Sequence, residues 1–380
     1  MKNALIVTSV ASMVDQFLLP SIYLLQNMGY VVHVACNFEN GNTCNEEKIK
    51  SLKDALAHKN IAFFQVDFAR DISNVKQNGN AYKQMQDLMK KKHYSLIHCH
   101  SPIGGFLTRL VAQKYRKQGT RVFYTAHGFH FYEGAPIKNW LLYYPVERLC
   151  SYMTDVLITI NQEDYALAQK RMKAKCIEYV PGVGIDVAKF RDVQVDRNQK
   201  RRDIGVPEDA FLLVSVGELS VRKNHRLILQ ALTKIENERI HYAIVGSGSL
   251  LDEYQDFARQ HAIEDRIHFL GFRRDVAEIY QVADVCCLPS IHEGLPVALM
   301  EGMASGLPCV VSRIRGNTDL VDEHSGFAID AHDVDEAVRA IECLVDDEDL
   351  RRQCGKYNEN RVTRYSIDVV TKRMKEIYES

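Results

Sequence analysis

The segment Val285-Cys-Cys-Leu288-Pro-Ser-Ile-His-Glu293-Gly-Leu-Pro296-Val-Ala-Leu-Met-Glu301-Gly-Met-Ala-Ser-Gly306-Leu-Pro308-Cys309-Val-Val-Ser312 reads as strand, loop, helix and strand. Its first apolar run ends at Leu288 and its second starts at Cys309. Pro296 stands where a helix opens, because a ring-fixed φ already suits the first helical turn. Short apolar runs separated by a helix belong to a parallel sheet, whose strands are covered on both faces and therefore lack a polar side.

The alternation extends both ways along the chain. Residues 211–216, 241–245 and 267–270 join 285–288 and 309–312 in one series of strand candidates. An earlier series comprises 4–8, 31–36, 61–66, 96–99, 121–125, 156–159 and 176–179. Between them, Pro-Gly-Val-Gly-Ile-Asp at 181–186 and the polar stretch 191–203 read as a domain linker, with Arg197, Lys200, Arg201 and Arg202 as solvated cations. The expected architecture is α/β: two Rossmann-like doubly wound domains, 1–188 and 189–360, facing a central cleft, with helix 361–380 packing back on the first. In such folds binding loops follow the carboxyl ends of strands, so the chemistry is sought there.

Composition narrows the functional classes. At roughly 150 residues per domain, 380 residues suit two domains. The 48 Lys and Arg nearly balance 49 Asp and Glu, so no global basic field exists to collect nucleic acid or to hold the whole protein on an anionic membrane. No run reaches the roughly 18 apolar residues a spanning helix needs, and MKNALIVTSV reads as a buried first strand rather than a leader. Ten cysteines without a C-x-x-C pair read as free thiols of a reducing cytoplasm.

Three constellations carry chemistry. Glu301 lies about five residues inside its helix, roughly 8 Å along the axis, so that Glu293 and Glu301 can face one extended polar ligand. A carboxylate accepts hydrogen bonds from vicinal hydroxyls, while a helix N-terminus favours phosphate. Taken singly, each Glu also reads as an ordinary helix-opening or exposed helical residue. Gly217-Glu218-Leu-Ser-Val-Arg222-Lys223 places two adjacent cations after a strand, suited to a diphosphate leaving group or equally to an exposed charged loop. His127-Gly128-Phe129-His130 exposes an imidazole beside aromatics at another strand end, although a satisfied core histidine fits the same pattern. His98-Cys99-His100 is a poor metal site, since strand alternation turns Cys99 away from its neighbours. Gly246-Ser-Gly248 lacks the third glycine of a dinucleotide fingerprint, and Thr8-Ser9-Val-Ala-Ser12 has none, which argues against a nicotinamide or flavin enzyme.

Together these residues resemble glycosyltransferase family 4, retaining nucleotide-sugar transferases of the GT-B fold. Glu293 and Glu301, with seven residues between them in a P-S-x-x-E-G-x-P context, fit its signature, and Gly306 and Pro308 fall where the family has them. The His-Gly-Phe-His run and Pro-Gly-Val-Gly-Ile-Asp are similar to the branch that builds capsular and extracellular polysaccharides. The resemblance implies that Glu301 holds the nucleotide ribose, Glu293 contacts the donor sugar, Lys223 binds the diphosphate and His127 meets the sugar from the other domain. It further implies donor contacts at Gly217, Gly294, Leu295 and Pro296, a base seat near Phe272 and Arg273, and phosphate contacts from the backbone around Ser9. Two departures stand out: Glu218 replaces the usual Arg after the glycine, leaving Arg222 as candidate second cation, and the first turn lacks its glycines. The implied donor is a UDP-sugar, with no metal or other cofactor. The implied acceptor is a saccharide carried on a polyprenyl diphosphate, met by a cytoplasmic protein peripheral at the inner membrane face. Lys90, Lys91, Lys92, Lys114, Arg116 and Lys117 are the cations available for that contact, and they read equally as solvated helix ends. A UDP-sugar 2-epimerase of the same fold and a catalytically silent, transferase-activating partner are the alternatives.

Overall fold

A computed structural model describes residues 2–380. They form two compact units, one running to Gly184 and including Val370–Ser380, the other Ile185–Val369. The first unit carries strands β1 (Lys2–Val10), β2 (Tyr30–Asn37), β3 (Ala62–Gln65), β4 (Leu96–His100), β5 (Arg121–Ala126), β6 (Val156–Thr159) and β7 (Cys176–Tyr179) in the order β3-β2-β1-β4-β5-β6-β7. Every pairing is parallel. Burial on both faces explains the unbroken apolarity of β1: Ala4 and Ile6 pack into one core, Leu5 and Val7 into the other. The same alternation sends Cys99 into the second core, away from His98 and His100.

The second unit holds β8 (Phe211–Val216), β9 (Ile240–Val245), β10 (Ile267–Gly271), β11 (Val285–Leu288), β12 (Cys309–Ser312) and β13 (Gly326–Ile329), ordered β10-β9-β8-β11-β12-β13 and again all parallel. In each sheet the winding reverses once, between β1 and β4 and between β8 and β11. At such reversals the loops diverge and leave a crevice beyond the strand ends, where doubly wound folds place their ligands.

Three expectations need correction. The first boundary falls at Gly184 rather than 188, and the chain returns to the first unit at Val370 rather than 361, inside the helix Ile367–Glu379. There Tyr378 Oη lies 2.7 Å from His98 Nδ1, and Arg373 pairs with Glu178. The basic stretch is no solvated linker: 197–203 is the helix Arg197–Asp203, packed within the second unit. Its Arg201 is fully buried, donating to the carbonyls of Val282, Glu208 and Ala210 and to Asp284, because a guanidinium with five donors can cross-link several chain segments at once. Strand β13 had no sequence signal, being four residues at the sheet edge behind the polar Asp322–Ser325 turn.

Candidate functional site

In the second unit, the loops after β8, β9 and β10 interlock through the backbone. Leu219 N donates to Ser247 O at 3.1 Å, Leu250 N to Leu219 O at 3.2 Å and Gly246 N to Gly271 O at 2.8 Å. The fit is close enough that a Cβ on Gly246, whose φ is +149°, would stand 1.9 Å from Gly217 O. The glycines of 246–248 are thus explained by loop-on-loop contact, which fixes the Gly217 turn and the cations following it.

Across the winding reversal, the β8 loop meets the β11 loop. Ile291 N donates to Arg222 O at 2.8 Å, and Asn224 Nδ2 to Pro289 O at 3.0 Å. Held this way, Lys223 Nζ lies 2.7 Å and Arg222 Nη1 3.1 Å from Glu293 Oε1. Burial raises the pKa of Glu293, but Lys223 and Arg222 more than offset it and the carboxyl is held below its ordinary value. Arg315, after β12, is buried and donates from Nε and Nη2 to the Glu293 carbonyl at 3.2 and 3.1 Å, with Nη2 2.8 Å from His292 Nε2. Sequence reading missed it. The signal was available, since Arg315-Gly316-Asn317 lies in the loop that follows a strand of the same series, with two residues between it and the strand's end at Ser312. Around Glu293 two cations face the carboxylate and a third, Arg315, holds the carbonyl of the same residue, an arrangement suited to an added anion. Glu218 is exposed and forms no ion pair among the described residues.

Glu301 is the fifth residue of the helix Val297–Ala304. Pro296 caps this helix rather than occupying its first turn. Its cap position leaves the early N–H groups of Val297 and its successors to find acceptors elsewhere. Leu295 is buried, and a Cβ on Gly316 would come within 2.3 Å of Gly294 O, so this loop too is held by close backbone packing. Burial pushes the Glu301 carboxyl up to about 7, with Lys189 partly opposing the shift. Among the described residues nothing hydrogen-bonds its carboxylate. A half-buried carboxylate without a donor is open to hydroxyl groups of a ligand. Phe272 is 78% exposed on the β10 loop, two strands from the reversal, while the Arg273 guanidinium is committed to Asp275, with Nε 2.8 Å from Oδ1. Asp275 also receives Lys200.

In the first unit, Ser9 and Ser101 meet at the β1/β4 reversal. Their hydroxyls are 2.7 Å apart, Ser9 N donates to Ser101 Oγ at 3.0 Å, and Gly104 N donates to Ser9 Oγ at 3.1 Å. Ser12 N donates to Asn42 Oδ1. The Ser9 and Ser12 amides offered for phosphate contact are thus already bonded inside the unit. Ser9 serves instead to satisfy an orphan N–H in the first turn of the helix Pro102–Arg116. His127 Nε2 lies 3.1 Å from His100 Nδ1, and burial lowers His127 to about 4, leaving it neutral near pH 7. The loop beyond is tied down where Phe129 N donates to Asp164 Oδ2 at 3.0 Å. His130 is exposed, its ring 4.6 Å from that of Tyr143.

Comparison with known proteins identifies the family of the chain. The family described as "Glycosyl transferases group 1" matches residues 196–361, and "Glycosyl transferase 4-like" matches residues 9–161. The chain is 35% identical over 367 residues to putative glycosyltransferase EpsD of Bacillus subtilis (strain 168), covering 95% of this chain and 92% of that one. It is 30% identical over 374 residues to the UDP-Gal:alpha-D-GlcNAc-diphosphoundecaprenol alpha-1,3-galactosyltransferase of Escherichia coli, covering 96% and 93%. Among solved structures, Anabaena Alr3699/HepE in complex with UDP and glucose superposes with a TM-score of 0.80 at 17% identity over 100% of both chains, a likeness of fold.

Proposed function

Because this chain belongs to glycosyltransferase family 4, we propose that it is a retaining transferase moving a hexosyl or N-acetylhexosaminyl group from a UDP-sugar to a saccharide on a polyprenyl diphosphate, in capsular or extracellular polysaccharide synthesis. The observation that carries this reading is the sequence of two cations on Glu293 in the β11 loop and, in the helix that this loop opens, a half-buried carboxylate at Glu301 with no donor among the described residues. In the reading, Glu301 accepts the ribose hydroxyls, and Lys223 and Arg222 move part of their charge onto the diphosphate. Gly217 leaves room for that approach, a Cβ there meeting the Lys223 side chain at 3.0 Å. Gly294, Leu295 and Pro296 line the sugar side, and the Phe272–Arg273 backbone seats the base.

Charge develops on the diphosphate as the bond from sugar C1 to its oxygen breaks. Cations already fixed there stabilise the transition state more than the ground state. The acceptor oxygen forms the new bond to C1 on the face the diphosphate leaves, and its proton passes to a departing phosphate oxygen. His127, being neutral, acts as a hydrogen-bond partner of the sugar rather than as a cation. Because Lys223 and Arg222 supply the charge, turnover needs no metal or other cofactor. A UDP-sugar panel with prenyl-diphosphate-linked saccharides tests the proposal. Transfer with retained anomeric configuration supports it, whereas acceptor-free isomerisation of the nucleotide sugar would identify a 2-epimerase. Absence of both, with stimulation of another transferase, would identify an activating partner. The acceptor assigns the protein to the cytoplasmic side of a membrane.

A further inference from the structure

The helix Ile137–Ser151 and its cap Tyr152 carry large apolar side chains on the side facing water. Ile137 is 77% exposed, Leu141 74%, Leu149 61% and Tyr152 58%. With exposed Pro145 these residues recur every three or four positions, hence along one face, over about 22 Å at 1.5 Å per residue. The opposite side is apolar as well, Trp140 and Tyr144 packing their rings on Phe131. A helix apolar on both sides does not belong at an interface with water; one side needs a cover.

Charge around the stripe indicates which cover. Arg148 Nη1 donates to Arg171 O at 2.8 Å, and Lys173 N to Ser151 Oγ at 2.8 Å, so the exposed segment Lys170, Arg171, Lys173 and Lys175 borders the C-terminal half of the helix. Beside that half of the helix, Asp155 is paired with Arg116 and Lys175, and Glu147 with Arg109. By contrast, Lys90 and Arg116 of the clusters suggested by sequence are bound to Asp87 and Asp155. On its other flank the helix contributes Leu142, Tyr143 and Val146 to a cavity of about 520 Å³ faced by Ile72, Ile103 and Phe106. No helix of the described residues is long and apolar enough to cross a membrane. An apolar stripe with a cationic border matches the layered chemistry of an anionic bilayer surface, acyl chains beneath phosphate headgroups.

We propose that the Ile137–Tyr152 face is seated on an anionic lipid bilayer, Ile137, Leu141, Leu149 and Tyr152 entering the headgroup boundary while Lys170, Arg171 and Lys173 meet lipid phosphates. The surface rests on the lipid-linked acceptor reading only for its purpose; its chemistry stands alone. The test is flotation of the full chain with phosphatidylglycerol/phosphatidylcholine vesicles and with phosphatidylcholine alone. Binding is expected to the anionic vesicles, falling as salt rises. Leu141→Ser/Leu149→Ser should lower it at least tenfold with an unchanged melting temperature, and Lys170→Glu/Lys173→Glu should abolish the preference for anionic lipid. Failure of the parent to float, equal flotation of the leucine variant, or a dimer that the leucine variant dissolves without vesicle binding each overturns the proposal; the last identifies a second copy as the cover. Transfer to a water-soluble short-chain acceptor, measured on the same variants, separates the two readings. Its persistence in a non-floating variant confines the defect to docking. Its absence in a parent that floats counts against the transferase reading alone.

Discussion

Lys223 Nζ and Glu293 Oε1 stand 2.7 Å apart across the point where the second sheet reverses its winding. Both side chains are largely buried, so the pair is an internal charge contact whose partners are costly to separate. A diphosphate arriving here competes with Glu293 for the same ammonium group, and the flanking Arg222 and Arg315 keep the locus positive while it does so.

Removing Lys223 therefore has two consequences. Lys223→Ala should lower kcat/KM by about 100- to 1,000-fold, the scale of losing one preorganised charge contact in a transition state. It should also destabilise the fold by a few kcal/mol, as the buried Glu293 carboxylate keeps only Arg222 as its ion-pair partner. Arg222, nearly half exposed, should contribute less, with Arg222→Ala costing about tenfold in kcat/KM. Steady-state kinetics and urea unfolding check both. An Arg222→Ala enzyme with unchanged turnover and donor affinity beside an inactive Lys223→Ala enzyme would show that Arg222 is not the second cation.

Glu301 trades stability for binding. Its folded pKa of about 7 lies above the ordinary 4.5, so the folded chain holds a proton that the unfolded chain releases. Stability from this group is present at low pH and declines as pH rises from about 4.5 through 7, by up to about 3 kcal/mol. Glu301→Gln should accordingly raise the melting temperature at pH 8 relative to the parent while weakening UDP binding. Thermal unfolding at pH 5 and pH 8 with UDP calorimetry decides it; a variant less stable at pH 8 would contradict the assignment.

Histidines set the acid limit. Burial lowers His98 to about 3, His127, His225 and His268 to about 4, and His100 well below 6.5. In each case the unfolded chain takes up a proton near pH 6.5 that the folded chain refuses, so the stability they provide is full above that value and is lost as pH falls toward 4. Five such protons outweigh the single opposing proton on Glu301 between pH 4.5 and 6.5. The urea midpoint should fall steeply across that window, and a flat profile would show the cluster to be hydrated. As His127 stays neutral, turnover should show no transition assignable to it between pH 6 and 8.

Gly246→Ala tests the interlocked loops. With a Cβ 1.9 Å from Gly217 O and a φ of +149°, the backbone must shift, moving the Gly217 turn and Lys223 with it. A loss of at least tenfold in UDP affinity is expected by calorimetry, together with lowered stability. Unaltered affinity would separate Gly246 from the cation loop.

Sequence patterning revealed the sheets because buried parallel strands carry an unbroken apolar signature, as in 285–288 and 309–312. It revealed Glu293, Glu301 and Lys223 because their loops follow such strands. What stayed hidden depends on distant partners. Arg201 looks solvated until the carbonyls of Val282 and Ala210 surround it. Arg315 gains meaning only when its loop folds against the Glu293 carbonyl. Ser9 fills the place of the absent glycines only through Ser101, 92 residues away. The outward apolar face of Ile137–Ser151 was illegible because periodicity marks an apolar side without saying whether protein covers it.

Chelation bears on the charge argument. If Lys223 and Arg222 supply the cationic field, transfer should persist in excess EDTA, and complete loss restored by magnesium would place the charge elsewhere.

The most direct measurement is a crystal structure of the protein with UDP. The account predicts the diphosphate within hydrogen-bond distance of Lys223 Nζ and the ribose hydroxyls on the Glu301 carboxylate. UDP bound away from residues 223, 293 and 301 would contradict it.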